Sequence, residues 1–188
     1  QATVNEIMST ELINFDLGIR KTEALKSLKG IIFRYLQFCS NPHLQLGYIN
    51  SVDPGLSSKI FNDGYGAKFD QIVVDAEELA MRGEKIIIWS TFPRNLEILS
   101  NKLAFFNPVQ VHGKIPVGID EKEIDTRRHA IWQFKNNPDC KIFLANPMTA
   151  GEGISLHKIC SNAFYLDRTY NAAHYLQSKD RIHRLGIA

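Results

Sequence analysis

Residues 177–186 read QSKDRIHRLG, and four side chains there carry the densest chemistry in the chain: Gln177, Asp180, Arg181 and Arg184. The spacing i, i+3, i+4, i+7 puts them on one face of a helix that turns ~100° per residue. Such a row has two readings. Asp180 and the two arginines can form a solvated ion-pair stripe. Alternatively, two permanently charged, forked guanidinium groups can form half of an anion-binding surface. Spacing alone leaves both open.

A second stretch, NPMTAGEGISLH (146–157), follows the apolar run KIFLA (141–145). Thr149, Gly151, Gly153 and Ser155 fall just after that run. Two glycines permit a tight backbone with exposed N–H groups, which suits contact with phosphate or with a neighbouring domain. The same pattern is often only a turn.

The elements that must hold these residues alternate in type from Glu84 onward. KIIIW (85–89), KIFLA (141–145) and NAFYLD (162–167) are short runs apolar enough to be strands buried on both faces, and PVQVHG (108–113) reads as a short strand running into a Gly. Helical patterns separate them at 93–105 and 121–137, the second with Ile124, Ile131 and Phe134 on one side, and NAAHYLQSKDRIHRL (171–185) follows the last run. This alternation predicts a parallel α/β sheet, in which sites form in the loops at the carboxyl ends of the strands. Those loops are Ser90-Thr91-Phe92, His112-Gly113, Asn146 to Leu156 and Asp167 to Asn171. Upstream, residues 20–40 have helical spacing. Residues 41–66, rich in Gly, Pro, Asn and Ser, read as mostly loop, and 67–83 reads as a helix ended by Gly83.

Composition narrows little. Of the 188 residues 44% are apolar and 22% charged, with a net charge of +2, ordinary for a globular protein and too small to imply nucleic-acid binding. The charge is uneven: from Arg168 to Ala188 there are four Lys/Arg against one Asp. Cys39, Cys140 and Cys160 form no CxxC pair and read as reduced thiols. No apolar stretch approaches the ~20 residues that span a bilayer, so no membrane partner is expected. The chain begins at Gln1 rather than Met and stops just after the basic stretch, as expected of a piece of a longer protein. The lack of a basic nuclear-type run points to a bacterial or phage cytosol.

Taken in order, these segments resemble the second RecA-like lobe of superfamily 2 helicases, and more narrowly the Swi/Snf branch of nucleic-acid-stimulated ATPases. EKIIIWSTF (84–92) looks like motif IV. VHGKI (111–115), with Arg127 or Arg128 and AIWQFKNN (130–137), resembles the Gly-Arg-helix segment that follows it. KIFLANPMTAGEGISLHKICSNAFYLDRTYN (141–171) is similar to motif V and its sequel, and QSKDRIHRLG to motif VI, Q-x-x-D-R-x-H-R-x-G. The likeness runs from about residue 25 to residue 186. The chain has Tyr170-Asn171-Ala172 where the family has Trp-Asn-Pro, and Ile187 where motif VI continues with Gln.

The resemblance implies a RecA-like parallel sheet flanked by helices (84–188) behind an N-terminal helical and irregular extension (1–83). It implies that Arg181 and Arg184 are arginine fingers directed at ATP, that Gln177 adds a neutral contact, and that Asp180 orients a finger. Gly151, Glu152 and Gly153 would sense the nucleotide. Ser90, Thr91, His112, Gly113, Thr149 and Asn171 would meet the nucleic-acid backbone. The partners implied are double-stranded DNA, with RNA not excluded, and the N-terminal RecA-like lobe of the same protein.

Other residues have plainer readings. His112, His129, His174 and His183 lack metal-site spacing. Trp89 and Trp132 read as core rather than as base-stacking platforms. There is no G-x-x-x-x-G-K-[ST] and no Asp-Glu pair after an apolar strand, so the ATP phosphates and Mg²⁺ would be held mainly on a first lobe outside this sequence. Alone, the chain is expected to be inactive. The alternative is a RecA-like module that binds nucleic acid or protein without hydrolysis.

Overall fold

Ile86–Trp89 (β1), Val109–Val111 (β2), Ile142–Ala145 (β3) and Asn162–Tyr165 (β4) pair into one sheet of order β2-β3-β1-β4. The structure is a computed structural model that describes residues 21–150, 156–168 and 171–180. Every pairing is parallel, with Ile86 opposite both Ile142 and Asn162, and Val111 opposite Ala145. The helices are α1 (Lys21–Ser40), α2 (Leu46–Val52), α3 (Pro54–Asp63), α4 (Ala67–Met81), α5 (Pro93–Lys102), α6 (Arg127–Asn136) and α7 (Ala172–Asp180). Single 3₁₀ turns lie at Pro42–Gln45 and Ala104–Phe106.

Alternate residues of the central strands supply two separate cores, as the two-residue period of a strand requires. Ile86, Ile88, Ile142 and Leu144 pack with Phe69, Ile72, Ala76 and Ala80 of α4 and with Leu96 and Leu99 of α5. Ile87, Trp89, Phe143 and Ala145 pack with Ala130 and Phe134 of α6, and with Cys140 and Cys160. The sheet is thus covered on both faces, and the parallel α/β fold expected from the sequence is what forms. Trp89 lies in the core at 1% exposure, whereas Trp132 is 38% exposed and stacks on His129.

Lys85, just before β1, turns inward. Its ammonium donates to the carbonyls of Phe134 and Asn137 at the end of α6. That position complements the unsatisfied carbonyls of a helix C-terminus. Burial pushes the lysine pKa below its ordinary value.

Two expectations fail for local reasons. Residues 41–66 are mostly helical. Asn41 and Asp53, which read as loop formers, are N-caps whose side chains accept from His43 N and Leu56 N, and Pro42 and Pro54 occupy the first turns. Proline there has no needed N–H to lose and its fixed φ suits the helix. The helix expected from residue 121 starts only at Arg127. Asp125 has φ 63°, outside helical space, and Thr126 is the N-cap, accepting from His129 N. Ile124 therefore lies outside the helix and is exposed. Gly83 does end α4's turn in the left-handed region, at φ 84°.

Candidate functional site

The parallel register brings the four loops out at one level. Each strand's ladder extends one residue further: Ser90 N donates to Ala145 O, Asn146 N to Val111 O and Leu166 N to Trp89 O. Everything after β1, β2, β3 and β4 therefore leaves the same sheet edge, the one at which open α/β sheets place ligands.

A buried polar knot occupies that edge. Asp167, directly after β4, accepts at Oδ2 from Ser40 Oγ (2.7 Å) and Ser90 Oγ (2.6 Å), and at Oδ1 from Thr91 N (2.6 Å). Ser90 Oγ also accepts from Phe92 N at 3.2 Å. Asn95 of α5 donates to Ser40 Oγ at 2.8 Å and accepts from Asn41 Nδ2 at 2.9 Å. Ser40, Asn41, Ser90 and Asn95 are no more than 3% exposed. Burial at this level is tolerated because each group has a partner. Asn146 closes the other side, donating to Thr91 O at 2.8 Å and accepting from Met148 N at 2.9 Å.

Beyond β2 the edge is cationic. Lys114 and Arg94 both reach Glu97, at 2.8 and 3.0 Å, and their hydrogen bonds hold its carboxyl below the usual range. Arg127 approaches Gly113 O at 3.5 Å. His112 is buried, with Nδ1 accepting from Lys114 N at 3.4 Å, and burial pushes its pKa below the ordinary value, favouring the neutral ring.

α7 is anchored to the end of β4. Tyr165 bonds Ser178 at 2.9 Å, Tyr175 packs edge-on against Tyr165 with centroids 5.2 Å apart, and the Arg168 guanidinium lies 4.3 Å from the Tyr175 ring centre. Asn171 Oδ1 accepts from Ala173 N at 3.0 Å at the start of the helix. Ser178 faces inward; Gln177 and Asp180, three residues apart, are both exposed.

The candidate residues thus separate by depth. Gly113, Asn171, Gln177 and Asp180 are exposed, Thr91 and Thr149 are half-buried, and Ser90 and His112 are buried. The Ser90 hydroxyl and the Thr91 N–H, expected to face phosphates, are both committed to Asp167. Gly151, Glu152, Gly153, Arg181 and Arg184 lie outside the described residues. Among the described residues no group of three His, Cys, Asp or Glu side chains is arranged to hold a metal ion.

The sequence profile of the helicase conserved C-terminal domain matches residues 67–186. The chain belongs to that family. Among helicase C-terminal domains, its relatives are of the Swi2/Snf2 type. It is 27% identical over 141 residues to the chromatin-remodeling ATPase INO80 of Candida albicans, across 74% of this chain and 9% of that protein. It is 26% identical over 171 residues to the human lymphoid-specific helicase, across 88% of this chain and 19% of that one. The sheet and its helices superpose on the Sulfolobus solfataricus SWI2/SNF2 ATPase core in complex with dsDNA with a TM-score of 0.68 at 21% identity, covering 98% of this chain and 35% of that chain. The chain therefore spans less than a fifth of the length of these two protein relatives.

The relatives also correct one expectation. A bacterial or phage cytosol does not stand, because the matched proteins include eukaryotic chromatin-remodelling ATPases. The inference rested on a missing basic run, and a chain that covers so small a share of its relatives says nothing about such runs elsewhere.

Sequence reading passed over Asp167 except as the start of a loop, and did not single out Ser40, Asn41 or Asn95. An acid directly after the half-buried strand β4 was a usable signal. Its partner Ser40, 127 positions away, was not readable without the fold.

Proposed function

We propose that this chain is the second motor lobe of an ATPase that moves along duplex DNA, and that it is inactive without a first lobe. ATP, with its Mg²⁺, would be held mainly by that first lobe; the metal would neutralise phosphate charge there. Gln177, Arg181 and Arg184 would face the nucleotide from the α7 side, with Asp180 orienting a guanidinium. Gly151, Glu152 and Gly153 would respond to whether the nucleotide is bound. Gly113, Thr149 and Asn171 would contact the DNA backbone, supported from behind by Ser90, Thr91 and His112. Closing of the two lobes on ATP and reopening after hydrolysis would alternate the grip on the duplex.

The observation that supports this most is the posture of α7. Its inner residue Ser178 is bonded to the end of β4, and its Gln177 and Asp180 face is open beside the edge where all four loops emerge. A guanidinium acts on a departing γ-phosphoryl group by bonding two of its oxygens as charge develops, a contribution of roughly 10³ to 10⁵ in rate in well-studied nucleotidases. Arg184→Ala in the full-length protein should lower duplex-stimulated ATPase by a factor in that range, with ATP affinity and melting temperature unchanged. Arg184→Lys should rescue poorly, since an ammonium lacks the planar fork. Near-normal turnover by Arg184→Ala, or loss of activity explained by unfolding, would leave only the ion-pair stripe.

A further inference from the structure

The knot at Asp167 ties in a part of the chain that the family match leaves out. Ser40 is the last residue of α1, upstream of the matched residues 67–186, yet its hydroxyl donates to Asp167 at 2.7 Å. From Asp167 the bonds continue through Thr91 N (2.6 Å), then from Thr91 O to Asn146 Nδ2 (2.8 Å), then from Asn146 Oδ1 to Met148 N (2.9 Å). One residue further is Thr149. A continuous path of four hydrogen bonds therefore leads from the end of α1 into the loop after β3.

Its members are short. Ser, Asp and Asn have few side-chain torsions, so a displacement at one end is passed on rather than absorbed. They are also cross-linked. Ser40 Oγ, besides donating to Asp167, accepts from Asn95 Nδ2 at 2.8 Å, and Ser90 Oγ accepts from Phe92 N at 3.2 Å. Removing the Ser40 hydroxyl takes one donor from Asp167 and leaves Asn95 Nδ2 only its longer contacts to Ser90 Oγ (3.4 Å) and Asp167 Oδ2 (3.5 Å), so the loss is felt beyond the one bond. We infer that Asp167 is a positioning residue through which the docking of α1 sets the loops after β1 and β3. The consequence for DNA use rests on the function proposed above; the coupling itself does not.

The test is native-state hydrogen exchange on the full-length protein, without DNA or ATP, comparing Ser40→Ala with Ser57→Ala. Ser57 is a second buried serine of the same upstream region, but its hydroxyl donates to Leu46 O at 3.4 Å, away from the knot. Ser40→Ala should speed exchange at Thr91 by roughly tenfold or more, the factor expected when a hydrogen bond to a charged group is lost. A smaller rise should appear at Met148. Ser57→Ala should move neither. Asp167→Asn, nearly equal in shape, should speed both. In duplex-stimulated ATPase, Ser40→Ala should raise the DNA concentration for half-stimulation while the KM for ATP stays the same. Exchange that quickens only around residue 40, or equally in Ser57→Ala, overturns the positioning role. Coupled exchange in a protein whose wild type shows no DNA stimulation supports the positioning role and removes the motor reading instead.

Discussion

The bond between Tyr165 and Ser178 is the anchor on which the placement of α7 depends, and its strength can be worked out in advance. Ser178 Oγ donates its single hydrogen to Tyr175 O at 2.7 Å, so the hydrogen in the 2.9 Å contact comes from the tyrosine. Tyr165→Phe removes that donor and nothing else. The ring keeps Trp89 at 6.4 Å and Tyr175 at 5.2 Å, and the Arg168 guanidinium at 5.2 Å. Ser178, 2% exposed, keeps one partner. The expected loss is that of one neutral hydrogen bond, about 1 kcal/mol, or a fall in melting temperature of roughly 2–4 °C for a domain of this size. Ser178→Ala removes the same bond from the other side, together with the bond to Tyr175 O. The double variant should therefore cost about 1 kcal/mol less than the sum of the single ones. Urea unfolding of the four proteins measures that coupling. A coupling of zero, with both single variants destabilised, would mean the contact does no anchoring and that the ring stack alone holds α7.

Three further outcomes are expected. Burial raises the Cys140 and Cys160 thiols from 9.0 to about 11. Their contribution to stability is complete below the lower value and lost as pH climbs through the upper one, on the order of 2–3 kcal/mol each. Urea midpoints under reducing conditions should fall steeply across that window, and Cys140→Ala or Cys160→Ala should flatten the slope; an unchanged slope in both would count against burial as the cause. Gly118→Ala should destabilise by roughly 1–3 kcal/mol, because φ is +81° and the added Cβ would lie 2.6 Å from Thr126 Cβ, the N-cap of α6; an unshifted thermal melt would refute that. The isolated chain should show no ATP turnover above background and should bind duplex weakly, with Kd roughly 10⁻⁴ to 10⁻⁶ M at physiological salt and rising as salt is added; a salt-independent binding titration or Mg²⁺-dependent turnover by purified chain would contradict it.

What could be read from the sequence, and what could not, divides by the range of the interactions. IIIW and IFLA declare themselves because a strand buried on both faces has no polar position to spare. The edge that carries the loops follows from parallel pairing without side-chain detail. Residues 41–66 misled because Asn, Asp and Pro are common to loops and helix starts; Asn41 and Asp53 differ from loop residues only in what their side chains cap. Ser90 was legible as an edge residue but not as a buried donor. Its acceptor, Asp167, lies 77 positions on, and nothing local marks the pair.

The position of β1 at the centre of the sheet also governs how the chain acquires its structure during synthesis. Ile86–Trp89 has no strand to pair with until Ile142–Ala145 has been made, about fifty residues later, and its second neighbour comes later still. At ribosomal speeds of roughly 5–20 residues per second, this all-apolar strand waits on the order of several seconds with both edges unmatched. Helices α4 and α5 are made by then or shortly after, and can shelter one face of the strand, but neither supplies backbone partners. The nascent chain is therefore most prone to aggregate in the interval between Trp89 and Ala145. A ribosome stalled there should hold a chain more sensitive to protease, and more avidly bound by chaperones that take up extended apolar segments, than one stalled just after Tyr165.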